Sequence, residues 1–454
     1  MAIPALEASP GAIGAPESNQ PNLGRAWYVV FVLMVCYTLS FVDRQILSLL
    51  VGPIKRDLHI SDTKIGLLQG LAFAAFYTVL GLPMGRIADR RSRRNLVAVG
   101  VFLWSLLTGL CSLAGSFWAL FATRLGVGVG EATLGPAASS MIADSFPRER
   151  LGKALSIYSA GIFIGSGLAL IVGGSVAGAV MNRPAVTVPL LGTIGSWRLT
   201  FLTLGIPGIL VGLLVYTLKE PERRNLLRRA DGQTEHLSIA EVFNEVALRW
   251  KSFAGLAAGI SMQAVANYGM QAWTPTFFIR VFGWTPARTG LVLGTLLLTC
   301  GCLGMYAGGT LCDRWQRAHV REAPLRVGAI STALAGVFFA LAMSYQHVPW
   351  VVIWLAPALF FLSMPVGSSF AALQLIFPNQ LRGQVSALLL FAININGLVI
   401  GPWSVGFLND HIGGQMVGYS LAITVGLGAL ISGLFYRITY PPYRVDYAKM
   451  HGAG

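Results

Sequence analysis

Charged residues are scarce in this sequence. Of its 454 residues only 11% are Asp, Glu, Lys or Arg, against roughly 25% in soluble domains. Apolar residues make up 54% of the chain. This balance excludes an ordinary water-soluble protein, because too few charges are available to cover its surface. We therefore expect lipid to surround most of the chain.

Several motifs of enzyme and cofactor chemistry are also absent. The chain has no G-x-x-x-x-G-K-[ST] loop, since Gly152-Lys153 is followed by Ala154, and no G-x-S-x-G or H-E-x-x-H motif. The six histidines lack the spacing of metal ligands. The five cysteines include one C-x-C pair but no C-x-x-C pair. These absences argue against an ATP-driven pump, a membrane hydrolase and a metal enzyme, and we expect no cofactor.

The net charge of +14 predicts membrane topology rather than nucleic-acid binding. Most of the 33 Lys and Arg residues lie in alternate loops between apolar runs. Because basic loops stay on the cytoplasmic side, this distribution places both termini in the cytoplasm. Residues 1–25 have no basic region or cleavage site before the first apolar run, so they do not resemble a signal peptide.

Twelve apolar runs, each long enough to cross a bilayer as a helix, predict an all-α integral membrane protein. They lie at about 26–50, 64–87, 95–115, 117–144, 152–180, 197–218, 252–280, 288–312, 325–345, 350–377, 383–409 and 415–437. The predicted organisation is a disordered cytoplasmic N-terminus, a six-helix bundle, a cytoplasmic linker, a second six-helix bundle and a cytoplasmic tail, at residues 1–25, 26–218, 219–251, 252–437 and 438–454.

The two halves repeat short motifs at equivalent places. "GRIADRRSRR" follows the second run and "GTLCDRWQR" follows the eighth, while "FPRERLG" precedes the fifth and "FPNQLRG" the eleventh. This repetition predicts two pseudo-symmetric six-helix bundles with a substrate site between them, an arrangement typical of secondary transporters.

These strings carry a family resemblance. "GRIADRRSRR" and "RLGVGVGEA" resemble the loop 2–3 and fourth-helix motifs of the major facilitator superfamily. "SFVDRQILSLLVGPIKRDLHISDTKIGLLQG" and "TRLGVGVGEATLGPAASSMIADSFPRERLGKALSIYSAG" resemble its spinster-like branch. The resemblance implies the twelve-helix major facilitator fold and export of lysolipid-like substrates. The chain departs from the superfamily pattern in "GIFIGSGLA", which lacks the proline of the antiporter motif, and symport and antiport therefore both stay open.

Four charges lie well inside predicted helices, namely Asp43, Arg44, Arg124 and Glu131. A charge at the bilayer centre costs at least about 2.5–3.5 kcal/mol, so such residues face partners or a wet cavity. We predict that the four form a buried network that couples protons to transport and binds a substrate headgroup, with Asp43 rather than Arg44 facing the cavity. The alternative is a static ion-pair cluster that only fixes helix packing.

The basic loops predict a cytoplasmic latch between helices, which the resemblance assigns to the outward-facing state. Plain positive-inside topology is the alternative, and for Arg91 and Arg94 it is the better interpretation. The predicted latch residues are Gly85, Asp89, Arg90, Arg93, Asp144, Asp313 and Arg314.

The C-terminal half offers polar and aromatic side chains instead of deep charges. Those predicted to line the cavity are Gln263, Asn267, Tyr268, Gln271, Trp273, Gln374 and Asn394. Each could equally be a helix–helix hydrogen bond. The whole pattern predicts a monomeric, proton-coupled transporter of an amphipathic or anionic lipid-like substrate. A carrier of small organic anions or drugs is the alternative, and a channel or membrane enzyme is more remote.

Overall fold

The computed structural model describes residues 23–181, 186–188, 192–223, 239–378 and 381–451. Most of the predicted disordered N-terminus, residues 1–22, lies outside these ranges, as do 224–238 of the predicted linker and 452–454 of the tail. The predicted domain boundaries stay predictions.

Six long helical units, α1 to α6, form the N-terminal half. Their bounds are Leu23–Leu49 for α1, Asp62–Gln69 and Leu71–Arg90 for α2, Arg93–Leu110 for α3, Phe117–Glu131 and Leu134–Ser145 for α4, Arg148–Met181 for α5 and Ser196–Tyr216 for α6.

Six further units, α7 to α12, form the C-terminal half. Three of them contain a wider π-helical turn. Their bounds are Trp250–Phe282 for α7, Pro286–Leu296, Leu297–Gly301 (π) and Cys302–Arg317 for α8, Ala323–Ser344 for α9, Val348–Ser363 and Pro365–Ile376 for α10, Arg382–Asn394, Ile395–Ile400 (π) and Gly401–Ile412 for α11, and Val417–Leu421, Ala422–Leu427 (π) and Gly428–Ile438 for α12.

Shorter elements join the spanning helices at the two faces of the bundle. We call the face that holds the start of α1 and the end of α12 the proximal face, and the opposite one the distal face. The distal face carries helix Val51–Leu58, the 3₁₀ turn Cys111–Leu113 and an antiparallel hairpin of β1 (Val186–Val188) and β2 (Gly192–Ile194). The proximal face carries helices Ile239–Leu248 and Tyr440–His451.

Ten of the twelve units are long and apolar enough to cross a membrane. The other two are α4, which carries Arg124 and Glu131, and α7, which carries Gln271. The break at residues 132–133 divides α4 into segments of 15 and 12 residues, and α7 carries buried polar side chains such as Gln263. The helical core of twelve units, ten of which meet this criterion, confirms the predicted fold class.

Small residues let the two halves approach closely. A Cβ atom added at Gly66 of α2 would lie 2.5 Å from the carbonyl oxygen of Pro402 in α11. A Cβ atom at Gly167 of α5 would lie 2.7 Å from the carbonyl oxygen of Gly294 in α8. The α2–α11 and α5–α8 contacts are equivalent under the internal repeat, so the same kind of close helix contact occurs twice.

The halves are closed against each other at the distal face. Hydrogen bonds between them join residues of α1 and α2 to residues of α7 and α11; those in the described chain involve Gln45, Ser48, Asp62, Thr63 and Gln69 on one side and Gln271, Ala272, Thr276, Arg280 and Asp410 on the other. All these positions lie in the distal part of their helices. In the part of the chain that is described, no hydrogen bond joins the two halves at the proximal face.

Candidate functional site

The centre of the N-terminal half is an ion pair between α1 and α4. Arg44 donates from Nε and Nη2 to Oε2 of Glu131, at 2.8 and 2.5 Å. Ser40, one helical turn before Arg44, donates its hydroxyl to the same oxygen at 2.6 Å. The Glu131 side chain is fully buried, whereas 15% of the Arg44 side chain is exposed. Two cationic donors and a hydroxyl on one oxygen give a charge-assisted arrangement that a buried carboxylate requires.

Aromatic rings surround the free face of the Arg44 guanidinium. Its carbon lies 4.2 Å from the ring centre of Phe73 and 4.8 Å from that of Tyr77, both on α2, and 5.4 Å from that of Phe41 on α1. Cation–π contacts strengthen when water is excluded. Arg44 is therefore held in place by its neighbours even where it borders the cavity.

The second charge pair is arranged differently. Arg124 donates from Nη1 to the backbone carbonyl of Asp43 at 2.9 Å, and both side chains are buried. Oδ1 of Asp43 and Nε of Arg124 make no hydrogen bond with any described residue, although the hydroxyl of Thr108 on α3 faces the carboxylate. The prediction that Asp43 rather than Arg44 faces the cavity is wrong. Successive helical residues point about 100° apart, and the packing turns Asp43 toward α3 and α4.

A cavity lies between the halves beside Arg44, with a volume of about 40 Å³. Its N-terminal wall includes Arg44, Gln45 and Phe73, and its C-terminal wall includes Tyr268 and Gln271. The volume is enough for a few water molecules. In this state the space would have to widen before a larger molecule could enter.

A chain of amides crosses the cavity. Gln45 donates from Nε2 to Oε1 of Gln271 at 2.6 Å, and Gln271 donates from Nε2 to Oδ1 of Asn267 at 2.5 Å. The first bond joins the halves directly next to Arg44, and the second orients the Gln271 amide. Asn267 therefore lies behind the cavity wall, where it orients Gln271.

Four other residues predicted to line the cavity do not line it. Gln263 is buried between helices, where it donates to the carbonyl of Leu362 and accepts from Tyr436. Trp273 is fully buried and donates to the carbonyl of Pro402. Gln374 is exposed elsewhere, and Asn394 is half-buried outside the lining. These four residues lie outside the lining of this cavity, since i, i+4 spacing on a helix does not determine which neighbour the stripe faces.

A second, apolar pocket begins on the other side of Gln271. It is lined by side chains of α5, α7, α8 and α10: Leu170, Met270, Gln271, Thr274, Pro275, Leu293, Leu297, Leu355 and Leu359. Gln271 borders both the cavity and the apolar pocket. The Arg44 guanidinium therefore lies on one side of Gln271 and the apolar pocket on the other.

Arg93, at the start of α3, is the centre of the predicted latch. It is buried and forms ion pairs with Asp144 of α4 and with Glu220, which follows α6. It also donates to Ser140 at 2.9 Å and to the carbonyl of Pro221 at 2.6 Å. Hydrogen bonds from Ser92 and from the backbone of Arg93, together with the Arg93 charge, hold the pKa of Glu220 below its ordinary value. These contacts tie three N-terminal helices together.

The remaining latch residues do not take part in this cluster. Asp89, Arg90, Asp313 and Arg314 are exposed and make no ion pair with any described residue. Gly85 is half-buried, with Pro136 as its nearest neighbour in space. The structure brings together Arg93 and Asp144 only.

Comparisons with known proteins decide the family. The model of the "Major Facilitator Superfamily" matches residues 33–399. The chain belongs to the major facilitator superfamily. It is 30% identical to an "MFS-type efflux pump" of Mycolicibacterium smegmatis over 97% of this chain and 99% of that one. It is 27% identical to "Protein spinster homolog 1" of Xenopus tropicalis over 90% of this chain and 79% of that one.

A solved structure shows the same fold. A bacterial homologue of the human lysosomal transporter Spinster, in an inward-facing and unoccupied conformation, superposes with a TM-score of 0.76. The identity is 24%, and the match covers 94% of this chain and 98% of that one. The spinster homologue among the relatives confirms the predicted spinster-like branch. Like other members of the superfamily, the protein is an integral membrane transporter and not an enzyme.

The sequence reasoning missed the residues that position Arg44. Ser40 and Phe41 precede it on the same helix, and Phe73 and Tyr77 lie one turn apart on α2. Their spacing indicates a shared helix face, but only the packing of α1 against α2 and α4 brings them to one guanidinium. Within the described residues no group of His, Cys, Asp and Glu has metal-site geometry.

Proposed function

We propose that this superfamily member is a proton-coupled secondary transporter that moves an amphipathic substrate with an anionic headgroup by alternating access. The observation that carries the proposal is Arg44. It is the cation bordering the cavity, it is paired with Glu131 behind it, and an apolar pocket starts within one residue of the same cavity.

Proton coupling needs Arg44 to exchange Glu131 for a substrate anion as its partner. While Glu131 is ionised, it accepts both donors of Arg44, and the guanidinium is neutralised. Protonation of Glu131 removes that partner, and Arg44 becomes free to bind a substrate anion. Asp43 and Arg124 form the second site of the network, where a carboxylate without a hydrogen bond on one oxygen can accept a proton. The coupling follows because proton and headgroup then bind together.

The distal closure and the basic loops together indicate the side of the membrane to which this state is open. With both termini in the cytoplasm, by the positive-inside rule, the closed distal face is the outer one and this state is inward-facing. Access would alternate by rocking of the two halves against each other, which would separate α2 from α11 and α5 from α8 at the distal face. A bacterial inner membrane and a eukaryotic cell membrane both fit this topology.

The apolar pocket favours a lipid-like substrate, since seven of its nine lining residues are Leu, Met or Pro. The second candidate is a small organic anion or drug. It is favoured by the relative described as an efflux pump.

The test is substrate flux in proteoliposomes with and without a pH gradient, using lysolipids against aromatic acids. We expect pH-driven flux of the lysolipid, and its loss in Glu131→Gln. Asp43→Asn, measured beside it, reports whether the second carboxylate is also required. Asp57→Asn is the matched control, because Asp57 pairs with Arg198 at the distal surface away from the cavity. Unchanged pH dependence in both carboxylate variants would contradict the coupling, and flux of ions without substrate would indicate a channel.

The static ion-pair alternative is tested by Arg44→Met combined with Glu131→Leu. Replacing a buried pair by apolar residues of similar volume is often neutral for stability, whereas removing one partner costs about 3–5 kcal/mol. We expect the double variant to unfold near the wild-type temperature in detergent but to lack transport. A double variant that still transports would show that the pair only fixes packing.

A further inference from the structure

We infer that Asp410 is a positioning residue of the distal closure: it caps the first turn of α2 across the boundary between the halves. Its Oδ1 accepts the backbone N–H of Asp62 at 3.0 Å. Its Oδ2 accepts the backbone N–H of Thr63 at 2.8 Å and the Thr63 hydroxyl at 2.6 Å. Three donors of the N-terminal half therefore end on one carboxylate of the C-terminal half.

The position of Asp410 in its own helix supports this role. It lies in the last turn of the segment Gly401–Ile412. The C-terminal end of a helix carries partial negative charge, so a carboxylate there is unfavourable for α11 itself. The N-terminal end of α2 carries partial positive charge and free N–H groups, which favour a carboxylate. The charge of Asp410 therefore interacts favourably with the dipole of α2 and unfavourably with that of α11.

The first turn of α2 is divided between two kinds of partner. Its own half supplies Ser61, whose side chain accepts the N–H of Lys64. The other half supplies Asp410 for the two preceding N–H groups. Opening of the distal face would remove only the second partner, so it would leave two backbone donors of α2 without their acceptor.

Two separate helices of the C-terminal half hold this turn. From α7, Arg280 donates to the fully buried Asp62 carboxylate, with Nη1 to Oδ2 at 2.6 Å and Nη2 to Oδ1 at 3.2 Å. From α11, Asp410 holds the backbone. Lys55 of the N-terminal half also pairs with Asp62 at 2.7 Å. The side chain of Asp62 thus contacts α7, and its backbone contacts α11. Both contacts must break before the distal face opens.

The inference rests on alternating access as proposed above. The experiment is hydrogen exchange, followed by mass spectrometry, on the full-length protein in nanodiscs. We expect Asp410→Ala to speed amide exchange about five-fold, the factor corresponding to one lost helix cap of about 1 kcal/mol. The increase should occur in the first turn of α2 and also in the remote α5–α8 contact around Gly167 and Gly294, because opening separates both helix pairs. Asp410→Asn, which keeps one acceptor oxygen, should fall between Asp410→Ala and wild type.

Asp57→Ala is the matched control. Asp57 lies at the same face and accepts from Arg198 and Trp197, but all three belong to the N-terminal half. We expect no change in the α5–α8 contact. Faster exchange confined to residues 61–64 in Asp410→Ala would overturn the inference, since it would mean that the cap stabilises only its own turn.

Asp62→Asn separates this inference from the proposal on which it rests. If Asp62→Asn speeds exchange in the α5–α8 contact and Asp410→Ala does not, Asp410 has no role in closure while alternating access stands. If neither variant changes that contact, the distal face does not open, and alternating access itself is contradicted.

Discussion

Among the described residues, the ion pairs at the distal face include one that joins the two halves of the molecule, whereas those at the proximal face each lie within one half. Distally, Arg280 of α7 pairs with Asp62 of α2. Proximally, Arg93 pairs with Asp144 inside the N-terminal half, and Arg444 pairs with Glu322 inside the C-terminal half. The same kind of bond therefore has two different consequences, depending on whether its partners move together.

This difference separates stability from conformational balance. A proximal cluster makes one half rigid and survives any rocking of the halves. A distal contact contributes only while that face is closed. Substitutions at the two faces should therefore change different measurable quantities, and the predictions below test that separation.

The largest effect on folding should come from Arg93→Ala. It leaves Asp144 and Glu220 without their shared cation, which costs about 3 kcal/mol, the lower end for a broken buried pair because both carboxylates are partly exposed. We expect a lower unfolding temperature in detergent. The control is Arg91→Ala, whose exposed side chain makes no described contact. Faster exchange in the α5–α8 contact at unchanged stability would contradict the division between the faces.

Gly70→Ala should act on the distal closure. A Cβ atom there would lie inside van der Waals distance of the Leu398 carbonyl oxygen in α11, and backbone cannot give way as a flexible side chain can. Overpacking of this kind costs about 1–3 kcal/mol, all of it in the closed state. We expect faster modification of a cysteine introduced by Ser48→Cys, beneath the closure, by an impermeant thiol reagent applied from the distal side.

Gly85→Ala is the comparison on the same helix. Its added Cβ would be 3.9 Å from Cβ of Pro136, an ordinary contact. We expect wild-type labelling of Ser48→Cys in this background. Equal labelling in both glycine variants would show that the α2–α11 contact does not limit the closure.

The smallest effect concerns the proximal cluster of the C-terminal half. Hydrogen bonding from Arg444 lowers the pKa of Glu322 from 4.5 to about 2. A carboxyl with a lowered pKa in the folded state contributes stability above its unfolded pKa and loses it as pH falls. Glu322→Gln should therefore be less stable than wild type at neutral pH by about 1 kcal/mol, since Arg444 is largely exposed. The gap should close between pH 4.5 and 2. Glu222→Gln, at an exposed site, should show no gap at any pH.

The fold could be predicted from the sequence because the patterns that indicate it recur along the chain. Twelve apolar runs and two pairs of loop motifs indicate twelve helices in two halves. The charged pair was also accessible, since Arg44 and Glu131 each need a partner in lipid. By contrast, which of Asp43 and Arg44 borders the cavity depends on the rotation of α1, and periodicity along a single helix does not determine that rotation.

The distal residues were missed for another reason. Asp62 lies just before the predicted start of the second helix, so it reads as an ordinary loop residue. Its full burial comes from Gly406, whose added Cβ would lie against the Asp62 backbone, and from Arg280 on a helix more than 200 residues away. Contacts between the halves are a property of the assembled bundle, and no local pattern encodes them.

The three π turns have a mechanical consequence. Each one inserts extra backbone into a helix with poorer hydrogen-bond geometry than the α form. They occur in α8, α11 and α12, whereas the described helices of the N-terminal half have none. Bending should therefore cost least in the C-terminal half. The described helices that can bend at a π turn therefore all belong to the C-terminal wall of the cavity.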